Sequence, residues 1–281
     1  MKADERQLGV RSEELGVGIF SPLTPHLSQE FFWLASYALG VDVATLMARK
    51  DFTPDELAKL RAVFSRREAH EPLQYIMGVA DFYGRDFEVG PGVLIPRHDT
   101  ETLIEAAKEI FEPEKIFKFL DWGTGSGCIA ITILLEFKGS FAYMLDQSSE
   151  AISYAKRNLA RYGLNDRAEI TSAIHEKNFD LIISNPPYIP SGEIETLMPE
   201  VRDYEPRSAL DGGEDGMNFY RLIFSQAKEI LKPGGYIILE TGNATQVTTL
   251  KFFDDDFVFV KEFFDLGNFP RCLLFKFKGR D

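Results

Sequence analysis

The stretch FLDWGTGSGCIA, from Phe119 to Ala130, decides the fold class of this chain. An apolar run typical of a buried strand leads into Gly123, Gly125 and Gly127, and the apolar run that follows predicts a helix. Glycine lets the backbone turn sharply and approach a ligand closely. A strand, a glycine-rich turn and a helix in this order predict an open α/β sheet that binds a ligand at the carboxyl ends of its strands.

The alternation of strand and helix continues beyond this stretch. Fully apolar strands separated by helices are typical of a parallel sheet covered on both faces, so we expect an α/β fold. The chain ends in FVFVKEFFD and RCLLFKFK, which predict an antiparallel hairpin at the edge of the sheet. The other predicted strands are KIFKFLD, FAYML, AEITS, FDLIIS and YIILE, and the predicted helices are SGCIAITILLEF, SSEAISYAKRNLARYG and DGMNFYRLIFSQAKEILKPGG.

The residues before the sheet follow a different pattern. Helical spacing of apolar residues predicts a small all-helical domain over residues 1–77. Within it, Thr53 and Glu56 have the spacing of a capping box at the start of a helix. Residues 78–98 are rich in glycine and aromatic residues and predict a β-hairpin linker. The sheet domain is expected to occupy residues 99–281.

Composition and charge restrict the possible partners. The chain has 281 residues, 44% of them hydrophobic, and a formal net charge of −13. Nucleic-acid binders cluster Lys and Arg to neutralise phosphates, so the negative net charge argues against a nucleic acid as the main partner. The N-terminal MKADERQLGV lacks the apolar run of a secretory signal, and CIAITILL is too short to span a bilayer. We therefore expect no membrane partner.

Cysteine and histidine usage points to a cytoplasmic protein without a metal centre. Cys128 and Cys272 form no disulfide framework, which suits a reducing cytoplasm. The four histidines are scattered and offer no metal-ligand spacing.

The glycine-rich turn and a matched carboxylate predict a nucleoside-containing ligand. Asp146 ends the second predicted strand, where its carboxylate can accept hydrogen bonds from both ribose hydroxyls. The dinucleotide pattern G-x-G-x-x-G/A would need a small residue at Cys128, so the turn fits S-adenosylmethionine better. Asp121, at the end of the first strand, either reaches the amino group of that donor or caps the turn.

The stretch NFDLIISNPPYIPSGE, from Asn178 to Glu193, supplies a second candidate site. Proline fixes φ and has no N–H, and a residue before proline avoids the α region. Asn185 and Pro186 are therefore held extended, and they present the Asn185 side-chain oxygen and the Pro186 carbonyl as fixed acceptors. Tyr188 adds a flat face. The arrangement predicts a clamp for a planar –NH2 group.

Such a clamp suits methyl transfer to an amide nitrogen. The lone pair of that nitrogen is delocalised into its carbonyl, so it attacks a methyl sulfonium poorly. Accepting both N–H bonds would hold the nitrogen on line and stabilise the positive charge that develops on it. No strong base is needed, because the product cation loses its proton readily.

Several motifs together resemble the release factor glutamine methyltransferase family over roughly residues 30–277. They are LIPRHDTE, DWGTGSGCIAI and NPPYIP, with further matches at RREAHEPLQYIMG, YEPRSALDGGEDGMNFYR and LKPGGYIILE. The resemblance implies the class I S-adenosylmethionine-dependent methyltransferase fold, a mostly parallel seven-stranded sheet, with a helical N-terminal domain that docks the substrate protein. It further implies N5-methylation of the glutamine in the Gly-Gly-Gln motif of class I peptide chain release factors, in the cytoplasm, with S-adenosylmethionine as the donor.

The family's site residues transfer to this chain by motif. The resemblance implies donor-binding residues, substrate-binding residues and, within the clamp, the catalytic residues Asn185, Pro186 and Tyr188. The implied donor-binding residues are Gly123, Thr124, Gly125, Ser126, Gly127, Asp146 and Asn185, and the implied substrate-binding residues are Asn185, Pro186, Pro187 and Tyr188.

Other matched segments are ambiguous or depart from the family. In PRHDTE, Asp99 and Glu101 suit a helix N-terminus, whereas Arg97 is the better functional candidate. DGGEDG is either a loop over the donor pocket or a solvated acidic loop. Ala173 occupies a position that is usually acidic in relatives, followed by Ile174 as the apolar residue expected to cover the adenine.

Four other functions explain part of the sequence. A DNA adenine-N6 methyltransferase also binds a planar amine, but it must flip the base and grip phosphates. A ribosomal-protein glutamine methyltransferase shares NPPY but, as a rule, lacks PRxDTE. A nicotinamide-dependent dehydrogenase leaves NPPY without a role. A binding module that has lost donor binding is supported only by Ala173.

Overall fold

The computed structural model describes residues 25–49 and 51–279, which fall into two compact units. The first comprises the described residues up to Gly78 together with Pro199–Tyr204. The second comprises Val79–Met198 and the described residues from Glu205 onward. The first 24 residues of the predicted N-terminal domain, including MKADERQLGV, lie outside the described residues.

The helices and strands, numbered in chain order, alternate through most of the second unit. The helices are α1 Pro25–Leu39, α2 Val43–Ala48, α3 Pro54–Glu68, α4 Leu73–Met77, α5 Thr102–Ile110, α6 Cys128–Glu136, α7 Ser149–Arg161, α8 Pro199–Arg202, α9 Asn218–Ile230 and α10 Ala244–Leu250. The strands are β1 Val79–Phe82, β2 Arg85–Glu88, β3 Lys118–Trp122, β4 Phe141–Leu145, β5 Ala168–Thr171, β6 Phe179–Ser184, β7 Leu231–Glu240, β8 Phe257–Phe264 and β9 Pro270–Phe277. Short 3-10 helices occupy His98–Glu101, Asn165–Arg167, Ser191–Thr196 and Arg207–Ala209.

The first unit is helical. Helix α3 begins with the predicted capping box: the Thr53 side chain accepts from the Glu56 N–H, and the Glu56 carboxylate accepts from the Thr53 N–H. Phe64 of α3 is buried and stacks on Phe31 of α1, with ring centroids 4.9 Å apart. In Pro199–Tyr204, the Tyr204 hydroxyl donates to the carbonyl of Ala69 at 2.6 Å.

The second unit is built on a seven-stranded sheet in the order β5-β4-β3-β6-β7-β9-β8. Its strands are parallel except β9, which runs antiparallel to both β7 and β8. The predicted α/β fold and its antiparallel terminal hairpin are therefore confirmed. A separate two-stranded antiparallel sheet pairs β1 with β2 at the position of the predicted hairpin.

Each strand of the sheet centre buries both of its faces. In β3, Phe119 belongs to a core cluster with residues of α5, α6 and α7, whereas Leu120 belongs to a cluster with residues of α9. In β6, Ile183 belongs to the first of these clusters and Ile182 to the second. Two covered faces explain why the strand sequences are continuously apolar rather than alternating.

Strands β3 and β6 lie side by side at the point where the strand order reverses. Asp121 pairs with Ile183, so both strands end at the same edge. The buried Ser184 hydroxyl donates to the carbonyl of Trp122 at 2.6 Å and ties the two ends together. In open α/β sheets, ligands bind in the crevice outside this switch point. The pairing therefore brings the glycine-rich turn and NPPY together.

One element boundary differs from the prediction. The helix expected to end in Pro-Gly-Gly ends at Ile230, and strand β7 begins at Leu231 rather than at Tyr236. Leu231 already has extended geometry, with ψ of 148°. A residue before proline is disfavoured in the α region, so the helix stops ahead of Pro233.

We expect Gly127→Ala to destabilise the protein more than Gly163→Ala. Both glycines have positive φ, at +84° and +66°, which costs an alanine about 1–2 kcal/mol. At Gly127 a Cβ would also lie 2.8 Å from Met144 Cε, whereas at Gly163 it meets open space. Overpacking adds about 1–3 kcal/mol. Urea unfolding measures the difference, and equal midpoints for the two variants would contradict this packing argument.

Candidate functional site

A cavity of about 240 Å³ lies at the carboxyl edge of the sheet. It is lined by residues of the glycine-rich turn, the end of β4, the NPPY motif and the segment before α5. The predicted site residues on its wall are Gly123, Thr124, Gly125, Ser126, Asp146, Asn185, Pro186 and Pro187. Gly127 and Tyr188 are not among the described residues that line it. The structure thus brings most of the two predicted sites into one pocket.

The glycine-rich turn forms one wall. Gly123 and Gly125 have φ of +77° and +56°, a region that favours glycine. Gly127 also has positive φ, but its missing side chain makes room for Met144 and Ile131 of the core. Gly127 therefore shapes the turn from behind the cavity wall.

Asp146 lies where the sequence predicts a ribose-binding carboxylate. Its Oδ2 accepts the Gly125 N–H at 2.8 Å, and its Oδ1 accepts the Ser148 N–H at 2.9 Å. A carboxylate has about four acceptor positions, so capacity remains for a ligand diol. Asp146 thus fixes the turn and still offers acceptors to the cavity.

Asp121 lies behind the turn and is fully buried. Its Oδ2 accepts from the Thr124 hydroxyl at 2.6 Å and from the Ala130 N–H at 3.3 Å, whereas Oδ1 has no partner among the described residues. Burial raises the pKa of Asp121 from 3.8 to about 7, although both hydrogen bonds lower it. Of the two roles left open by the sequence, these contacts show that Asp121 holds the turn.

Asn185 and Pro186 also line the cavity. The Nδ2 of Asn185 donates to the Thr100 hydroxyl oxygen at 3.1 Å, and its Oδ1 accepts no hydrogen bond from the described residues. An amide oxygen without a partner at a cavity wall is an acceptor available to a ligand. This orientation is the one that the predicted clamp requires.

Tyr188 is held behind the clamp. Its hydroxyl donates to Glu240 Oε1 at 3.2 Å, and its carbonyl accepts from Gln246 Nε2 at 2.7 Å. Burial, and then the nearby charge of Glu240, raise the pKa of Tyr188. A Cβ on Gly242 would lie 2.4 Å from the Tyr188 ring, so this glycine is needed for the close approach.

Comparison with known proteins places the chain in a family. Residues 27–78 match the PrmC N-terminal domain, and residues 99–199 match the methyltransferase small domain. A release factor glutamine methyltransferase of Geobacter sulfurreducens is 45% identical over 226 residues, which cover 79% of each chain. This chain belongs to the release factor glutamine methyltransferase family. Another member, from Clostridium acetobutylicum, is 38% identical over 252 residues, covering 86% of this chain and 88% of the relative.

A solved structure supports the methyltransferase fold of this family member. The crystal structure of a methyltransferase from Pyrococcus furiosus matches with a TM-score of 0.51 and 23% sequence identity. The match covers 71% of this chain and 91% of that one. No helix among the described residues is both long enough and apolar enough to cross a membrane.

The PRHDTE segment supplies several contacts beside the cavity. Arg97 lines the cavity and pairs with the buried carboxylate of Glu205. Asp99 pairs with Arg271 at 3.2 Å, and no side chain caps the 3-10 helix. Glu101 accepts the Tyr83 N–H at 2.8 Å. Arg97 is thus the charged residue of this segment at the cavity.

Two other features of the family resemblance lie away from the cavity lining. None of residues 211–216 lines it, but the Gly212 N–H donates to the carbonyl of Ile189 at 2.8 Å, which braces the chain after NPPY. Ala173 and Ile174 are also absent from the lining, and Ile174 packs on the core beneath α9. Residues just after β4, Gln147 and Ser148, line the cavity instead.

The sequence predicts no metal site in this family member. The fold nevertheless brings Asp81, His98 and Glu101 together, with one potential ligand atom from each within 4.8 Å of the others. One Glu101 oxygen already accepts the Tyr83 N–H and contacts His98. Glu101 and His98 are thus already in contact with other groups of the protein.

Two buried residues beside the site are not identified by the sequence pattern. Thr100 lies in the PRHDTE segment, but only the fold brings it to Asn185. Glu240 is the last residue of the apolar run YIILE, and Asp121 lies at the end of the first predicted strand. An acidic residue at the end of an apolar strand could have indicated that Glu240 lies beside the site. Burial raises the pKa of Glu240 to about 7, although hydrogen bonds from the Thr100 and Tyr188 side chains lower it.

We expect Asp121→Asn to reduce the loss of stability between pH 5 and pH 8. Asp121 ionises near 3.8 in the unfolded chain and near 7 in the fold, so its stabilising contribution is complete below pH 3.8 and is lost as pH rises through 7. Asparagine retains an acceptor for Thr124 and Ala130 and does not titrate.

Melting temperatures of both proteins at pH 5 and pH 8 test this expectation, with a shift of about 2–4 °C for each kcal/mol. Glu240 is present in both proteins, so its titration cancels in the comparison. An equal fall in both proteins would show that Asp121 is not buried in the neutral form.

Proposed function

We propose that this chain transfers a methyl group from S-adenosylmethionine to the side-chain amide nitrogen of the glutamine in the Gly-Gly-Gln motif of class I release factors. The products would be N5-methylglutamine and S-adenosylhomocysteine. The observation that carries the proposal is the Oδ1 of Asn185, which has no hydrogen-bond partner among the described residues, at a cavity that Pro186 and the glycine-rich turn also line. The names of the relatives, each a release factor glutamine methyltransferase, agree with it.

The cavity fits an S-adenosyl donor. Gly123 and Gly125 keep their wall free of side chains, and Asp146 offers acceptors for a ribose diol. Apolar residues such as Leu145 and Phe219 also line the cavity and suit a purine. When bound, the donor supplies an electrophilic methyl group on a sulfonium.

The clamp residues would act by position. Asn185 Oδ1 and the Pro186 carbonyl would accept the two N–H bonds of the glutamine amide and hold its nitrogen on line. Correct positioning can be worth about 7–11 kcal/mol in well-oriented reactions. Asp146 is the only carboxylate among the described residues that line the cavity, and it is tied to the turn. This lining suits a transfer in which the product cation loses its proton to water.

The helical first unit would dock the release factor, which we place with this enzyme in the cytoplasm. On α1, Trp33 and Tyr37 are four residues apart and remain 43% and 47% exposed. Residues four apart lie on the same face of a helix, so the pair forms an aromatic surface suited to a protein partner.

The reaction is tested with labelled S-adenosylmethionine and a release factor carrying either Gly-Gly-Gln or Gly-Gly-Ala, with unmodified duplex DNA as a second substrate. We expect label on the Gly-Gly-Gln protein alone. Label on the DNA would identify adenine, rather than the glutamine, as the target. No label, together with no donor binding in a titration, would identify a binding module.

We expect Asn185→Ala to slow methyl transfer from bound donor by at least about 100-fold, the scale seen when one preorganised hydrogen-bonding group is removed. The fold should persist, because the side chain makes a single hydrogen bond to the described residues. Single-turnover rates and circular dichroism provide the measurement. Asn165→Ala, at an exposed position in a 3-10 helix, is the matched control. Near-normal turnover by Asn185→Ala would refute the clamp.

A further inference from the structure

Strand register brings the segments after β4 and β5 together beside the cavity. Leu145, the last residue of β4, pairs with Thr171, the last residue of β5. The Asp146 N–H then donates to the Thr171 carbonyl at 3.1 Å. One residue further along each segment, Gln147 Nε2 donates to the Ser172 carbonyl at 3.0 Å. The Gln147 side chain, which lines the cavity, is therefore tied to the segment after β5.

The bond to Ser172 determines the orientation of the Gln147 amide. A main-chain carbonyl oxygen can only accept a hydrogen bond, so the –NH2 end of the amide is the end that contacts Ser172. A flipped amide would set two oxygens against each other. The other end of the amide, Oε1, accepts no hydrogen bond from the described residues. Gln147 therefore offers a ligand in the cavity an acceptor whose orientation is fixed.

The neighbouring residues do not offer such an acceptor. The Ser148 hydroxyl accepts the Ala151 N–H at 3.1 Å and caps helix α7. Ala173 has no polar side-chain atom, and none of residues 172–174 lines the cavity. Beyond Asp146, Gln147 is thus the lining residue of these two segments whose side chain has an acceptor available.

The base of an S-adenosyl donor would lie beside this acceptor. The base of a nucleoside is bonded directly to the ribose, and Asp146, the residue before Gln147, offers its acceptors to the ribose diol. Leu145, the residue before Asp146, adds apolar surface to the same part of the lining. A 6-aminopurine has an exocyclic –NH2 group that donates hydrogen bonds, whereas a 6-oxopurine has an accepting oxygen at that position.

We propose that Gln147 selects a 6-aminopurine in the donor, because its Oε1 accepts a hydrogen bond from the exocyclic amino group. A 6-oxopurine would set its own oxygen against Oε1, and the amide could flip to accommodate it only by breaking the bond to Ser172. The selection thus combines a favourable contact with one base and a repulsive contact with the other. This inference deepens the proposed function and rests on it for the identity of the donor.

Two S-nucleosylhomocysteines test the selection without any methyl transfer. S-adenosylhomocysteine carries the 6-amino group, whereas S-inosylhomocysteine carries an oxygen at the same position. In calorimetric titrations of the full chain, we expect the wild type to bind the adenosyl compound at least about 10-fold more tightly, the scale of one hydrogen bond replaced by a repulsive contact.

Gln147→Met removes the amide at nearly constant side-chain length. We expect this variant to bind the two compounds with nearly equal Kd values, chiefly because it binds the adenosyl compound more weakly. Gln74→Met is the matched control, because Gln74 lies on α4 in the first unit and does not line the cavity. The control should keep the preference of the wild type.

The outcomes separate this inference from the proposed function. Equal binding of both compounds by the wild type, or an undiminished preference in Gln147→Met, would overturn the role of Gln147 and leave the methyl transfer standing. Failure of the wild type to bind either compound would overturn the proposed function and this inference with it. The expected preference in a wild type inactive on Gly-Gly-Gln would overturn the proposed substrate and support the role of Gln147.

Discussion

The site depends on the parallel pairing of β3 with β6. Because Asp121 pairs with Ile183, the glycine-rich turn and NPPY leave the sheet at the same level. The hydroxyl of Ser184 then joins the two strand ends through the carbonyl of Trp122. A one-residue slip would move every side chain of a strand to the opposite face, which would separate the two walls of the cavity.

Two buried acids hold those walls. Asp121 lies one residue before the end of β3 and holds the glycine-rich turn through Thr124. Glu240 is the last residue of β7 and contacts the clamp through Tyr188. Burial raises the pKa of each to about 7, a sign that burying the charge is costly. Neither acid lines the cavity. Both acids therefore hold the cavity walls in place and put no charge against the ligand.

Sequence alone predicts the sheet because its strands carry a local signal. FAYML and FDLIIS match β4 and β6 residue for residue, since a continuous apolar run between helices needs no knowledge of its partners. Most of the candidate site follows from the same reasoning, because strand ends meet at a common edge. Asn185, Asp146 and Gly125 reach the cavity on that basis.

The remaining features depend on contacts between residues distant in sequence. The sequence around Thr100 does not indicate that Asn185 is its hydrogen-bond partner. The sequence around Arg97 does not indicate that Glu205 is its ion-pair partner. Likewise, no periodicity assigns residues 199–204 to the helical unit, because the chain leaves the sheet unit and returns within six residues. Strand patterns give direction and burial, whereas side-chain partners require the three-dimensional register.

Among the described residues that line the cavity, Asp146 is the only carboxylate, and it already accepts the N–H groups of Gly125 and Ser148. This lining limits how the proposed transfer could be accelerated. Neither Asn185 nor Pro186 can remove a proton at neutral pH, so the proposed clamp would contribute through geometry and through acceptors directed at the developing charge. Geometry is effective only if the clamp is stiff. The proline pair stiffens its backbone, and the contacts to Thr100 and Glu240 stiffen the side chains at its two ends. The proposed transfer would therefore depend on how firmly Thr100 and Glu240 hold the two ends of the clamp.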